Sequence, residues 1–286
     1  MKRIIPIVLL LIFLISGCEE TQPAHIVATT LPVYEFTALL CEGTDITVDR
    51  LITESVSCLH DYTLQVKQTK KIEAAELVVI SGAGLESFMS DILPEEKELI
   101  IATGIPNEEE HDHEHDHEHS HESDPHLWLS VTHAKEMCEN ICAGLIVHYP
   151  QYKETFENNK NKLLNKINDV EIYGESQLSS MTSRKIITFH DGFGHMAEEY
   201  GLTIIKAIEE ESGSEASAKE LTEIISLIEK NDIKAVFTET NGSDSAANII
   251  ARECGIPVYT LDMAMSGDSW FDAMYKNIDT LKEALK

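Results

Sequence analysis

Residues 151–177 read QYKETFENNKNKLLNKINDVEIYGESQ, and they separate two halves from which they differ in character. The stretch is rich in Asn and Lys, has no interior Pro, and carries a single late glycine, Gly174. Its apolar residues Phe156, Leu163, Ile167, Val170 and Tyr173 step by 7, 4, 3 and 3, which is helical spacing with one narrow buried stripe. Pro150 stands at the start, where a helix tolerates it. About 25 residues rising about 1.5 Å each make a rod of roughly 38 Å, long enough to run from one lobe to another. A helical joint of this kind is stiff.

On both sides of the rod, β-branched apolar runs alternate with helical patterns. The runs before it are Ile26–Thr30, Ile46–Leu51, Leu77–Ile80 and Leu99–Ala102. Those after it are Ile186–Phe189, Thr203–Ala207, Ile233–Thr238 and Ile256–Thr260. Short strands alternating with helices predict parallel sheets of the α/β class. A chain of 286 residues with 43% hydrophobic content has enough apolar material for two such units. Residues 25–150 are expected to form the first lobe, 151–180 the joint and 181–286 the second lobe. Within the second, Ser217 and Glu220 have capping-box spacing, followed by Leu221, Ile224, Ile225 and Ile228 on one face.

The N-terminus is set apart. Lys2 and Arg3 precede twelve apolar residues, Ile4 to Ile15, a run too short for a permanent span of about 20 residues. Ser16-Gly17-Cys18 then resembles a bacterial lipobox, which implies a signal over residues 1–17, cleavage before Cys18, lipid on its thiol and a tether over 18–24. Without residues 1–17 the chain keeps 20 basic and 50 acidic residues, a formal charge of −30. Such a chain repels nucleic acid and anionic lipid but not cations. With Cys18 lipidated, Cys41, Cys58, Cys138, Cys142 and Cys254 remain; an odd number rules out a fully paired disulfide scaffold in a monomer. Whether Cys41 and Cys58 pair is left open.

Residues 108–124, EEEHDHEHDHEHSHESD, hold six histidines and nine carboxylates and no apolar side chain, so they are expected to form a loop outside any core. His113 to His117 satisfies the H-E-x-x-H zinc-protease pattern, as does His117 to His121. That motif works on a helix packed over a cleft. Here the alternating repeat meets it by coincidence, and no enzyme is expected. His111, His113, His115, His117, His119 and His121 are read as weak, shared, metal-collecting ligands.

Three other histidines stand out by placement. His60 follows the second run and its loop, His126 lies in Asp124-Pro125-His126 just after the acidic stretch, and His190 follows the first run of the second half. Such loops fall at the carboxyl ends of parallel strands, where open α/β sheets bind ligands. Any one of them alone reads as an ordinary imidazole; three at that edge, from two lobes, point to a metal site in the cleft. Asp262, after the last run, is the candidate carboxylate for a tetrahedral His₃Asp set, with a helix cap or loop residue as the plain alternative. Glu239 is read instead as a partner of backbone amides.

Four stretches carry a family resemblance: HDYTLQVKQTKKIEAAELVVISGAGLESFM (60–89), DPHLWLS (124–130), FHDGFGHMAEEYGL (189–202) and EASAKELTEIISLIEKNDIKAVFTE (215–239). In this order and spacing they resemble the solute-binding proteins of zinc and manganese ABC importers, from about residue 26 to the C-terminus. The resemblance implies two (βα)₄ lobes joined by one rigid helix. It implies metal ligands at His60, His126 and His190, with a last ligand from the C-terminal lobe. The LDMAMSG pattern around Asp262 matches only loosely. A His/acid-rich loop ahead of DPHLWL also fits zinc members.

The expected function is then an extracytoplasmic receptor, a monomer anchored to the membrane by lipid on Cys18. It would capture a divalent metal between its lobes and pass it to an ABC permease and its ATPase. Three imidazoles with at most one carboxylate favour zinc over manganese, which prefers oxygen ligands. A manganese-binding homologue and a metal-dependent surface adhesin are the alternatives.

Overall fold

A computed structural model describes residues 25–56, 59, 62–93, 96–107, 124–208, 217–240, 242 and 244–286. The signal and lipidation site at Cys18, Cys58, His60 and the six histidines of 111–121 lie outside these residues.

Among the described residues, eight strands form two sheets of four, all parallel. The first contains β1 (Ile26–Ala28), β2 (Val48–Arg50), β3 (Leu77–Ile80) and β4 (Glu98–Ile101) in the order β2-β1-β3-β4. The second contains β5 (Lys185–Thr188), β6 (Thr203–Ala207), β7 (Val236–Glu239) and β8 (Val258–Leu261) in the order β6-β5-β7-β8. Both lobes thus repeat one topology. Every residue of β1, β3 and β7 is buried, as expected of central parallel strands covered on both faces. The edge strand β2 is half-buried throughout.

In the first lobe the covering helices are α1 (Leu31–Leu40), α2 (Val66–Ala74) and α3 (Val131–His148). Pro32 sits in the first turn of α1, where its missing N–H leaves no bond unmade. Gln65 and Gln68 close the N-terminus of α2 by reciprocal side-chain bonds, and Ser130 Oγ accepts the His133 N–H at the start of α3. The second lobe has α5 (Gly194–Glu199), α6 (Ala218–Asn231), α7 (Ser245–Cys254) and α8 (Trp270–Ala284). The capping box read at Ser217 and Glu220 is present in both directions.

Helix α4 (Lys153–Leu178) joins the lobes, its 26 residues spanning about 39 Å. A short 3-10 turn at Pro150–Tyr152 leads into it. Its buried stripe is Phe156, Asn159, Leu163, Ile167, Val170, Gly174 and Leu178. Gly174, rather than Tyr173, carries the stripe there, because the Tyr200 ring comes close against the helix at that point. A Cβ at 174 would meet Tyr200 Cε1 at 2.5 Å. Helix α4 packs against α1, α3 and α8.

One continuous apolar core runs through both lobes, from Ile26 and Phe36 to Trp128, Phe193 and Trp270. A second, smaller core lies wholly in the C-terminal lobe, around Ile187, Ile228 and Val236. Cross-lobe bonds add to the shared core. Trp128 Nε1 donates to the Met263 carbonyl at 2.7 Å, and Trp270 Nε1 donates to the Trp128 carbonyl at 2.9 Å. Arg50 donates to the Gly267 and Met265 carbonyls, while Glu35 accepts the Trp270 N–H and the Ser269 hydroxyl. No helix among the described residues is long and apolar enough to cross a membrane.

Candidate metal centre

Strand β5 ends at Thr188, and His190 follows two residues later; the residue is 1% exposed. His126, equally buried, opens the short 3-10 turn Leu127–Leu129 in the other lobe. Their ring centroids are 5.3 Å apart at 84°.

Asp124 and Pro125 set the pose of His126. The Asp124 Oδ1 accepts the His126 backbone N–H at 3.0 Å and lies 2.7 Å from His126 Nδ1. A carboxylate accepts only, so Nδ1 carries the proton and the lone pair of the neutral ring is on Nε2. Burial pushes the Asp124 carboxyl up, but the hydrogen bonds and charge of His126 outweigh it and hold it below the usual carboxylate range. Trp128 packs edge-on against His126 at 5.3 Å and fixes the other side of the ring.

His190 faces Glu239, the last residue of β7, with Nδ1 3.9 Å from Oε2. Glu239 is itself nearly fully buried. Gly192 makes room for this packing, since a Cβ there would stand 2.6 Å from His190 Cδ2 and 2.7 Å from Met263 Cε. Met263, in the β8–α8 loop, thus brings its side chain beside His190 at Gly192.

Asp262 precedes Met263 in that loop, and its groups are engaged locally. Its carboxylate accepts the Ala264 N–H at 2.9 Å, and its main chain makes two 2.7 Å bonds to the Asn277 side chain. His60 lies outside the described residues, between Leu59 and Tyr62, which are described. Leu59 is fully buried, and its carbonyl accepts the Tyr62 N–H at 3.0 Å. Among the described residues no three His, Cys, Asp or Glu side chains gather closely enough to hold a metal ion. His126, His190 and Asp262 are therefore not a ligand set by themselves.

The sequence reading singled out His126 and His190, and the fold brings them together. It assigned no part to Met263 or His195. His195, on α5, is buried, and its Nε2 lies 3.0 Å from the Asp124 carbonyl oxygen. The signal for Asp124 was present in Asp124-Pro125-His126, a carboxylate two residues before the imidazole it turns back to meet. Nothing local in the sequence marked Glu86. It is fully buried and accepts the Thr29 hydroxyl and the Ser81 and Gly82 amides.

Comparison with known proteins adds three findings. The family model described as zinc-uptake complex component A, periplasmic (ZnuA), matches residues 26–284. Among curated relatives, the zinc-binding lipoprotein AdcA of Streptococcus pneumoniae (strain ATCC BAA-255 / R6) is 32% identical over 95% of this chain. The chain spans 58% of the length of that relative. The high-affinity zinc uptake system protein ZnuA of Bacillus subtilis (strain 168) is 29% identical, covering 94% of this chain and 90% of its own length. Among solved structures, the Zn(II)-bound ZnuA-like domain of Streptococcus pneumoniae AdcA superposes with a TM-score of 0.75 and 29% identity. That match covers 92% of this chain and 98% of the domain.

Proposed function

The chain belongs to the zinc-uptake component A family, and on that premise we propose that it is the extracytoplasmic zinc receptor of an ABC importer. It binds Zn²⁺ in the cleft between its lobes and delivers it to a permease driven by an ATPase. It does so as a monomer held at the membrane by lipid on Cys18, with residues 25–150 and 181–286 as the two jaws and 151–180 as the joint. It performs no catalysis.

One observation supports this reading above the rest: two buried imidazoles from opposite lobes meet at a centroid separation of 5.3 Å. Two imidazoles on one tetrahedral zinc, with Zn–N bonds of about 2.0–2.1 Å, have centroids about 5.2 Å apart. Pairing of Nδ1 with a carboxylate is the outer arrangement that fixes a zinc-binding histidine, and Asp124 supplies it to His126. Glu239 stands in the same relation to His190 at longer range. His60 is the third ligand in this reading, with Asp262 as the carboxylate donor. The histidines of 111–121 gather zinc weakly outside the cleft. Nitrogen-rich coordination favours zinc over manganese.

The test is metal analysis of protein purified without chelator, followed by chelator competition. One tightly held zinc per chain is expected. Protein that holds manganese and ignores added zinc would overturn the assignment.

A further inference from the structure

A second pair of imidazoles, distinct from His126 and His190, meets across the lobes. His133 lies in the first turn of α3 and His195 on α5; their ring centroids are 5.1 Å apart at 85°. This separation also matches the figure of about 5.2 Å for two imidazoles on a tetrahedral metal.

The outer bonds of both rings point the same way. His133 Nδ1 lies 3.0 Å from Glu136 Oε2, and His195 Nε2 lies 3.0 Å from the Asp124 carbonyl oxygen. Both partners accept only, so those two nitrogens carry the protons. The lone pairs of the neutral rings then reside on His133 Nε2 and His195 Nδ1. A histidine that ligates a metal characteristically gives its other N–H to a carboxylate or a backbone carbonyl. Each ring has one such partner. The His133 side chain is 32% exposed and that of His195 9%, so a cation reaches the pair from solvent past His133. Asp124 Oδ2, 3.9 Å from His195 Nε2, adds negative potential.

We propose that His133 Nε2 and His195 Nδ1 form a second site for a borderline divalent cation such as zinc. Two protein nitrogens with water completing the coordination make it much weaker than the cleft site. Asp124 joins the two sites. Its carboxylate holds His126 and its carbonyl holds His195, and it is also the residue where the His/acid-rich stretch 108–124 ends. The pair is thus a staging point between that stretch and the cleft. The staging role rests on the transport reading above; the site itself does not.

The test uses the full chain with ¹⁵N-labelled histidine, titrated with Zn²⁺ alone. Ring-nitrogen resonances of His133 and His195 are assigned from His133→Gln and His195→Gln. Both are expected to shift together as zinc is added beyond the first equivalent. His133→Gln should abolish the shift at His195 while the first zinc keeps its affinity in chelator competition. Resonances that stay still to saturation, movement of one ring without the other, or a His195 shift that survives His133→Gln would each overturn the proposal. If the His126 and His190 rings ignored zinc while this pair still responded, the cleft reading would fail and this one would stand.

Discussion

His126 and His190 sit on opposite lobes, yet their imidazole planes cross at 84° with centroids 5.3 Å apart. Each is held by a separate device: His126 by the Asp124 turn, His190 by the close approach that Gly192 permits. The cleft pair is therefore preorganised by packing within each lobe and by the core the lobes share.

Asp124→Ala should weaken zinc binding about 10–100-fold, the usual consequence of losing an outer partner of a metal-bound histidine. Removing the carboxylate frees the His126 ring to change tautomer and rotate. Chelator competition reads the change; wild-type affinity in this variant would show that Trp128 packing alone orients the ring.

Deleting residues 108–123 spares Asp124-Pro125-His126 and should remove most of the weak zinc equivalents while leaving one tight site. Isothermal titration of the deletion variant measures both. Loss of the tight site in a protein that still folds would make the loop a principal ligand donor.

Zinc should change the shape of the molecule little. Helix α4, the common core and the Arg50, Glu35 and Trp128 bonds all resist hinge opening. Small-angle scattering of apo and zinc-loaded protein should give the same radius of gyration; a decrease typical of wide domain closure would contradict the stiff joint.

Gly174→Ala should destabilise the fold by about 1–3 kcal/mol, the range for overpacking a tight interior contact. The added Cβ would press into the Tyr200 ring, 2.5 Å away. Urea denaturation of apo protein checks this, and zinc affinity of the folded fraction should not move. Unchanged stability would mean that α4 and α5 part readily.

Much of this fold could be read in advance because each lobe announces itself by period. The runs Leu77–Ile80 and Thr203–Ala207 coincide with β3 and β6, and the 151–177 rod is one residue short of the end of α4. Strand ends then place His190 just past the carboxyl end of β5 without further information. What was not legible depends on contacts between distant residues. That Tyr200 would claim the surface at Gly174, or that His195 would reach the Asp124 carbonyl, follows only once α5 lies beside the DPHLWL turn. Asp262 shows the same limit: nothing in a carboxylate after a strand announced that it would also accept the Ala264 N–H.

The most direct test of the central claim is chelator competition on the wild type beside His60→Ala, His126→Ala, His190→Ala, His25→Ala and His148→Ala. Trp128, edge-on to His126, offers a fluorescence signal for the same titration. The interlobe site predicts that each of the first three loses more than the roughly 100-fold at the top of the outer-partner range, while the last two bind as the wild type does. Near-wild-type affinity in His190→Ala would contradict a site shared between the lobes.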